Sequence, residues 1–149
     1  MIWFLAFVFL VMAWLAWALI RPTLFARRVQ RALKEFVRRR EKLEADFFRA
    51  AAGSGKPRGL AWKQCAFQQG VLLARDRANG ELVGLVGVTI GFGAIEGGGM
   101  EDVEAVGNLR AGTAVFTYDG SEWRTEGRAV FNLEPVEVLS RFRGNLDPL

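Results

Sequence analysis

ELVGLVGVTIGFGAI, Glu81 to Ile95, carries two unlike faces in one stretch. At even positions, Leu82, Val86, Val88, Ile90 and Phe92 make a row of bulky apolar side chains. The alternate positions thin out to Gly87, Thr89, Gly91 and Gly93. A period of two is that of a β-strand, whose successive side chains point to opposite sides. Glycine within a strand marks a bend or a close approach by another part of the chain. A long strand, bulky on one side and bare on the other, is suited to curl an antiparallel sheet around a helix.

The flanking sequence supplies partners for it. Leu60–Phe67 alternates as a first strand and Val71–Asp76 as a second, with Glu81–Ile95 as the third. Between the last two, Arg77-Ala78-Asn79-Gly80 contains Asn-Gly, a strong short-range hairpin signal. Gly107–Tyr118 reads as a fourth strand, Asp119-Gly120-Ser121-Glu122 as a tight turn, and Trp123–Phe131 as a fifth. Asn132 or Glu134 then caps a short C-terminal helix, with Pro135 in its first turn and Val136, Leu139 and Phe142 along one side.

Upstream, the period changes. In TLFARRVQRALKEFVRRREKLEADFFRAAA, Phe25, Val29, Ala32, Leu33, Phe36, Leu43 and Phe47 recur at steps of three and four. That spacing predicts an amphipathic helix from about Thr23 to Ala52, stopped by Gly53-Ser54-Gly55 and Pro57. Its stripe weakens at Arg38, Arg39 and Arg40. One long helix followed by about five antiparallel strands resembles, in element order, the cystatin-like and nuclear-transport-factor-2-like superfold. The resemblance covers roughly residues 35–142. It implies an α+β domain in which a curved antiparallel sheet wraps the helix. With a single helix before the sheet, the simpler cystatin-like form is the better match, without the deep pocket on which enzymes of the second group depend. Fold likeness alone assigns no function.

Met1–Ile20, MIWFLAFVFLVMAWLAWALI, has no charged side chain. About 20 residues at 1.5 Å each cross a hydrocarbon core roughly 30 Å thick. Trp3 at one end, with Trp14 and Trp17 toward the other, suits interfacial anchoring. The rival is a cleaved signal peptide, for which Ala16-Trp17-Ala18 offers a small-x-small site. Against it, no Lys or Arg precedes the apolar run, whereas Arg21, Arg27, Arg28, Arg31 and Lys34 follow it closely. By the positive-inside rule, that flank stays in the cytoplasm. The expectation is a single-pass integral membrane protein, N-terminus outside and C-terminal domain cytoplasmic. Three segments result: an anchor at residues 1–21, a basic juxtamembrane helix and Gly/Pro linker at 22–56, and a sheet domain at 57–149.

Charge follows the same division. Residues 21–60 carry 12 Lys/Arg against 4 Asp/Glu, and residues 61–149 carry 8 against 12. Arg21, Arg27, Arg28, Arg31 and Lys34 are the candidate membrane-surface residues, able to meet anionic lipid headgroups. The simpler reading, that they only fix topology and solvate one helix face, is preferred. Nucleic acid is not the expected partner, because no base-stacking aromatics interleave with the basic residues on a sheet.

The chain has no histidine, which removes Ser-His-Asp and Cys-His catalysis and histidine metal sites. Its single cysteine, Cys65, permits no internal disulfide and reads as a buried structural thiol beside Trp62 and Phe67. Gly91–Arg110 holds six glycines and four carboxylates. A phosphate loop needs a Lys or a helix N-terminus after its glycines. Here Gly97-Gly98-Gly99 is followed by Met100-Glu101-Asp102, whose charge repels phosphate. Glu96, Glu101, Asp102 and Glu104 are oxygen donors of the kind calcium takes, but the EF-hand order is missing. The loop therefore reads as a mobile connection between strands, and its length makes Gly97, Gly98, Gly99, Met100, Glu101, Asp102 and Glu104 the candidate surface for a protein partner. Were the concave sheet face open, Trp62, Thr113, Tyr118 and Trp123 would line its pocket for a small molecule or lipid. No catalytic residue, metal or cofactor is predicted. The functional expectation is an accessory or structural protein rather than an enzyme, a small subunit of a membrane complex whose cytoplasmic domain binds another protein.

Overall fold

The computed structural model describes residues 1–149, the side chains of Ile2 and Leu5 excepted. The architecture is α+β. Two helices come first, α1 (Ile2–Arg38) and α2 (Arg40–Gly53). The strands β1 (Leu60–Phe67), β2 (Leu72–Asp76), β3 (Leu82–Ala94), β4 (Arg110–Tyr118), β5 (Trp123–Arg124) and β6 (Ala129–Phe131) follow. A short helix, α3 (Pro135–Arg141), and a last strand, β7 (Leu146–Pro148), close the chain.

The stretch from Glu81 to Ile95 is the spine of the sheet. β3 pairs antiparallel with β4 along one edge, from Leu82↔Tyr118 to Ile90↔Arg110. Its other edge carries β1 and β2 in line: β1 runs from Leu60↔Ala94 to Phe67↔Val88, and β2 from Leu72↔Leu85 to Arg75↔Leu82. The first two strands are thus collinear halves of one edge, not successive hairpin arms. Gln68 continues the line by donating its backbone N–H to the Gly87 carbonyl at 2.8 Å.

The sheet has seven strands where the alternation predicted about five. The predicted fifth strand is split, because the chain swings toward α2 between β5 and β6. Gly127 there has φ +71°, and a Cβ on it would lie 2.2 Å from the Ala51 backbone nitrogen. Only glycine fits such an approach in such a conformation. The second addition, β7, pairs with β2, and three residues ending in Pro148 leave no periodic signal in sequence.

The helical layer is divided differently from the prediction. α1 passes through Pro22 and ends at Arg38, so the apolar segment expected to be an anchor and the first half of the amphipathic helix are one helix. Proline removes one helical N–H and crowds the carbonyl four residues back. Next to it, the Thr23 hydroxyl donates to the Ile20 carbonyl at 2.7 Å, within the same turn. The break comes at Arg39 (φ −103°, ψ 11°), where the apolar stripe weakens. Arg40 turns inward there. Its guanidinium donates to the Gln68 and Gln69 carbonyls, and its Nε meets Glu44 at 2.7 Å. One side chain thereby ties the start of α2 to the connection between β1 and β2.

The stripe predicted from period fills the helix-facing side of the sheet. Phe36 meets Phe116 and Trp123 edge-on at 5.4 and 5.0 Å, and Phe47 meets Phe67 and Trp62 at 5.6 and 6.1 Å. Edge-to-face pairs of this kind add to the gain from apolar burial. A bulge at Lys63, between Trp62 and Gln64, shifts the alternation of β1 so that Trp62, Cys65 and Phe67 all face the helices. The opposite side of the sheet is covered by α3 through Val138, with Leu139 and Phe142 against Val83 and Leu85. Val136, expected on the packed side, is exposed. Glu134 is the N-cap of α3 and exchanges a capping box with Glu137, with Pro135 in the first turn.

Over the bare half of β3, long polar side chains replace a helix. A Cβ on Gly87, Gly91 or Gly93 would strike Gln68, Gln64 or Lys63 at 2.3, 2.7 and 2.6 Å. The glycines seen in sequence make room for side chains folding across from the neighbouring edge.

Before this core begins, α1 is uncovered. Every described residue from Met1 to Leu24 is exposed. The helix is long and apolar enough to cross a membrane, with mean hydropathy 1.8 in its most apolar window and none of that window buried.

Candidate functional site

Three regions were marked by sequence, and the fold distributes them along β3. The middle is the helix-facing side of the sheet. Trp62, Tyr118 and Trp123 are there, all buried, under α1 and α2. Trp123 donates its indole N–H to the Ala32 carbonyl of α1 at 2.8 Å, and Trp62 donates to Lys56 at 2.8 Å. Tyr118 packs on Trp123 with ring centroids 5.3 Å apart. Thr113 is on the opposite side, donating to the Leu133 carbonyl at 2.7 Å. The four do not line one pocket: Thr113 and Tyr118 are an odd number of residues apart on one strand, so their side chains point to opposite sides. That parity was visible in the sequence. Cys65, expected to be buried, is half-buried against the same layer, and desolvation pushes its thiol up to about 11. A thiol held that high is a poor nucleophile at neutral pH.

The far end of β3 opens into the glycine loop. It is held to the start of β1: Ile95 donates to the Gly59 carbonyl at 3.0 Å, and Gly98 donates back to Ile95 at 2.9 Å. The Gly97 N–H donates to the Glu101 carboxylate. Backbone N–H groups hold that carboxyl below its usual range, its own first and that of Gly97 next, with Met100 and Gly99 adding against a small desolvation. The glycine run is therefore an amide nest of the sort that takes anions, and it is filled by the chain's own carboxylate. One turn of 3-10 helix at Glu104–Gly107 leads back to β4. Glu96, Asp102 and Glu104 are exposed, and none is ion-paired among the described residues. Beside them Ile95, Val103 and Leu109 are exposed as well. Gly97, Gly98, Gly99 and Met100 form the base of this surface, with Met100 half-buried against Gly59.

The near end of β3 meets α1. The five basic residues marked there do not act alike. Arg27, Arg31 and Lys34 line a shallow outward face with Ala26 and Gln30. Arg21 stacks on Trp17, with its guanidinium carbon 4.1 Å from the ring centroid. Arg28 turns the other way and is half-buried toward the β4–β5 turn. A Cβ on Gly120 would lie 3.7 Å from its Nη2, and its Nε is buried without a hydrogen-bond partner.

One residue was not marked by sequence. Arg75, near the end of β2, brings its guanidinium to 5.6 Å from the Phe25 ring. An arginine beside an Asn-Gly turn reads as ordinary solvated charge until the helix is placed against that turn. Together with α1 it borders an open cleft of about 710 Å³ whose lining includes Trp14, Trp17, Arg21, Phe25, Arg28 and Arg75.

The carboxylates nearest this cleft are engaged elsewhere. Asp76 accepts from the Ala78 backbone at 2.8 Å, and Glu81 accepts from Asn79 at 2.9 Å. Asp119 accepts from the backbones of Ser121 and Glu122 and from the Ser121 hydroxyl, with Arg124 at 2.9 Å, and these donors hold it far below the usual carboxylate range. Among the described residues, none of Arg21, Arg28 and Arg75 is ion-paired.

Comparison of the chain with protein-family models, with curated proteins and with solved structures gave no match in any of the three.

Proposed function

We propose that this protein is a single-pass membrane-anchored accessory or structural protein whose C-terminal domain binds a protein partner, as a small subunit of a membrane complex. The observation that carries the proposal is the exposure of α1. Its first turns present Trp3, Phe4, Phe7, Phe9, Leu10 and Met12 to the surroundings, uncovered by any other described residue. Soluble monomers rarely leave so large a contiguous apolar surface bare, whereas a bilayer covers it fully. Because α1 runs unbroken from that surface into the core at Ala32 and Phe36, the domain is held at the membrane by a continuous helix. The basic residues from Arg21 to Lys34 favour the N-terminus outside and the domain in the cytoplasm.

The partner surface in this proposal is the far loop. Its exposed acids, Glu96, Asp102 and Glu104, surround the exposed apolar side chains Ile95, Val103 and Leu109, the composition of a small polar-rimmed contact. A small-molecule or lipid module using the concave side is the weaker proposal, since Phe36 and Phe47 occupy that side.

The experiment is mild-detergent extraction of native membranes carrying a tagged full chain, with mass spectrometry of what accompanies it at near-equal amounts. The expected result is one protein that co-purifies with the wild type and is lost when Met100–Val106 is replaced by a short Gly-Ser link. A chain that purifies alone, or a companion indifferent to the loop, overturns the partner proposal. Release of the chain from membranes by alkaline carbonate overturns the anchor.

A further inference from the structure

The five basic residues beside the anchor face two directions, and the inward ones line one cleft together with an arginine from the sheet. Trp14, Trp17, Ala18, Arg21, Phe25 and Arg28 lie at helical spacing on one side of α1. Further along, the same stripe becomes Val29, Ala32 and Phe36, which pack on the sheet. Where the sheet stops, the end of β2 and the β2–β3 turn border the cleft through Arg75 and Gly80, and the β4–β5 turn stands beside Arg28 at Gly120.

We propose that this cleft is a binding site for the phosphate of an anionic phospholipid, gripped by Arg21, Arg28 and Arg75. The proposal rests on the membrane reading above, which sets the level of the cleft. If Met1–Ile20 fills the hydrocarbon core, Trp17 and Arg21 stand at headgroup level. Trp14 to Arg28 covers about 21 Å of helix at 1.5 Å per residue, so the stripe runs from acyl-chain depth to just beyond the headgroups.

The chemistry asks for an anion. Arg21, Arg28 and Arg75 all line the cleft and, among the described residues, none is ion-paired, and the acids of the adjoining turns already have donors of their own. Arg28 is the most constrained of them, half-buried with Nε unpartnered. A cation partly out of water gains most from an incoming counter-charge, and guanidinium forks suit phosphate oxygens. The aromatic wall supplies the other half of the ligand. Trp14 and Trp17 are exposed on the bilayer side of the arginines, where an acyl chain would descend. At about 710 Å³ the cleft is within the size range of ligand sites. Arg27, Arg31 and Lys34 point elsewhere and are left to general attraction by the anionic surface.

The test uses the full chain in mild detergent and native mass spectrometry. The probes are phosphatidic acid and phosphatidylcholine with the same acyl chains. The wild type is expected to retain one phosphatidic acid at least about tenfold more strongly than phosphatidylcholine. Arg28→Gln with Arg75→Gln should abolish that preference. Arg27→Gln with Arg31→Gln removes the same charge from the outward face and should leave the preference within about twofold. A matching unfolding midpoint for the two double variants separates lost binding from lost folding.

If the outward pair weakens retention as much as the inward pair, only surface charge is at work and the site is overturned. The same holds if the inward pair changes nothing. Glycerol 3-phosphate and inorganic phosphate are added as competitors. Displacement of the lipid at comparable concentration would assign the cleft to a soluble phosphate and overturn the lipid assignment. The anchor is tested separately by carbonate extraction. A chain that resists extraction yet shows no arginine-dependent retention sinks the cleft alone. A chain that is extracted but retains phosphatidic acid through Arg28 and Arg75 keeps the site and loses the anchor.

Discussion

The two ends of β3 handle charge in opposite ways. At the near end Arg21, Arg28 and Arg75 gather around a cleft, and the carboxylates closest to them are occupied in turns. At the far end a glycine-rich loop that looks built for an anion has one already, the Glu101 carboxylate in its own amide nest. At the far end Glu101 is satisfied within the chain while Glu96, Asp102 and Glu104 stay unpaired at the surface, and at the near end none of the three arginines is ion-paired among the described residues. A glycine run or an arginine cluster therefore says little by itself. What matters is whether the fold brings an internal partner within reach.

The comparison presupposes that a rigid layer keeps the ends apart, and the largest effects come from breaking that layer. Phe47 touches Trp62, Phe67 and Phe116 at the centre of the aromatic network. Truncation of Phe47→Ala should destabilise the fold by about 3–5 kcal/mol, the usual range for an aromatic lost from a core. Unfolding of the full chain in detergent, followed by tryptophan fluorescence, measures it; a loss under about 1 kcal/mol would mean the helices are not docked as described. Gly127→Ala comes next. Its Cβ would run into the α2 backbone at 2.2 Å from a residue with φ +71°, and an expected loss of about 2–4 kcal/mol combines strain with overpacking. Gly97→Ala is the matched control at the far end. Its φ is +78° with open space around it, so only the conformational cost of about 1 kcal/mol applies. Equal losses at the two glycines would show that α2 does not approach Gly127.

How much of this was legible in sequence depends on how local each signal was. The bulky row of β3 and the Asn-Gly and Asp-Gly turns depend on near neighbours, and they stand where period and turn chemistry put them. The helical stripe also stands, but the joint moved from Pro22 to Arg39, because Arg40 bonds to carbonyls 28 and 29 residues away. The split of the fifth strand at Gly127 depends on α2, far off in sequence, and β7 exists only because β2 offers it an edge. The candidate sites fared according to the same rule. The five basic residues were legible as a group, whereas their division into inward Arg28 and outward Arg27, Arg31 and Lys34 depends on where the sheet ends. Arg75 was invisible, since nothing local to it points to α1. Thr113 was a misjudged parity that the strand itself could have corrected. The likeness in element order to the cystatin-like superfold has no matching solved structure behind it, so the architecture stands on its own register.

Between the two ends, Cys65 reports on the layer without disturbing it. Burial raises its thiol from 9.0 to about 11. At pH 8 the folded chain then has about 100-fold less thiolate than the unfolded chain, each pKa unit being a factor of ten. Iodoacetamide should therefore label the native protein far more slowly than the denatured one, and the native rate should climb until pH approaches 11. The neutral thiol is the form the fold prefers, so its contribution to stability is complete below pH 9 and is lost as pH rises toward the folded value. Fast native labelling at pH 8 would place Cys65 in water and loosen the β1 side of the core.

The smallest effect is the one that most directly sharpens the contrast between the ends. The Glu101 carboxyl is held below its ordinary value by backbone N–H donors, so the charged form stabilises the closed loop. A group whose pKa is depressed in the folded state contributes fully above its ordinary value, near 4.5, and its contribution is lost as pH falls through the folded value. Amide exchange at Gly97, Gly99 and Met100 reads this directly. In the wild type, after correction for intrinsic rates, protection should be constant from pH 7 down to about 5 and should decline below the ordinary carboxylate range. Glu101→Gln keeps the side-chain length and one acceptor oxygen but removes the charge that strengthens the bonds. It should start with less protection and show no decline over the same pH interval, with global stability almost unchanged because the loop is exposed. If both proteins lose protection alike on acidification, Glu101 does not fill the nest. The glycine run would then be as open to an outside anion as the arginine cleft, and the two ends of β3 would no longer differ in kind.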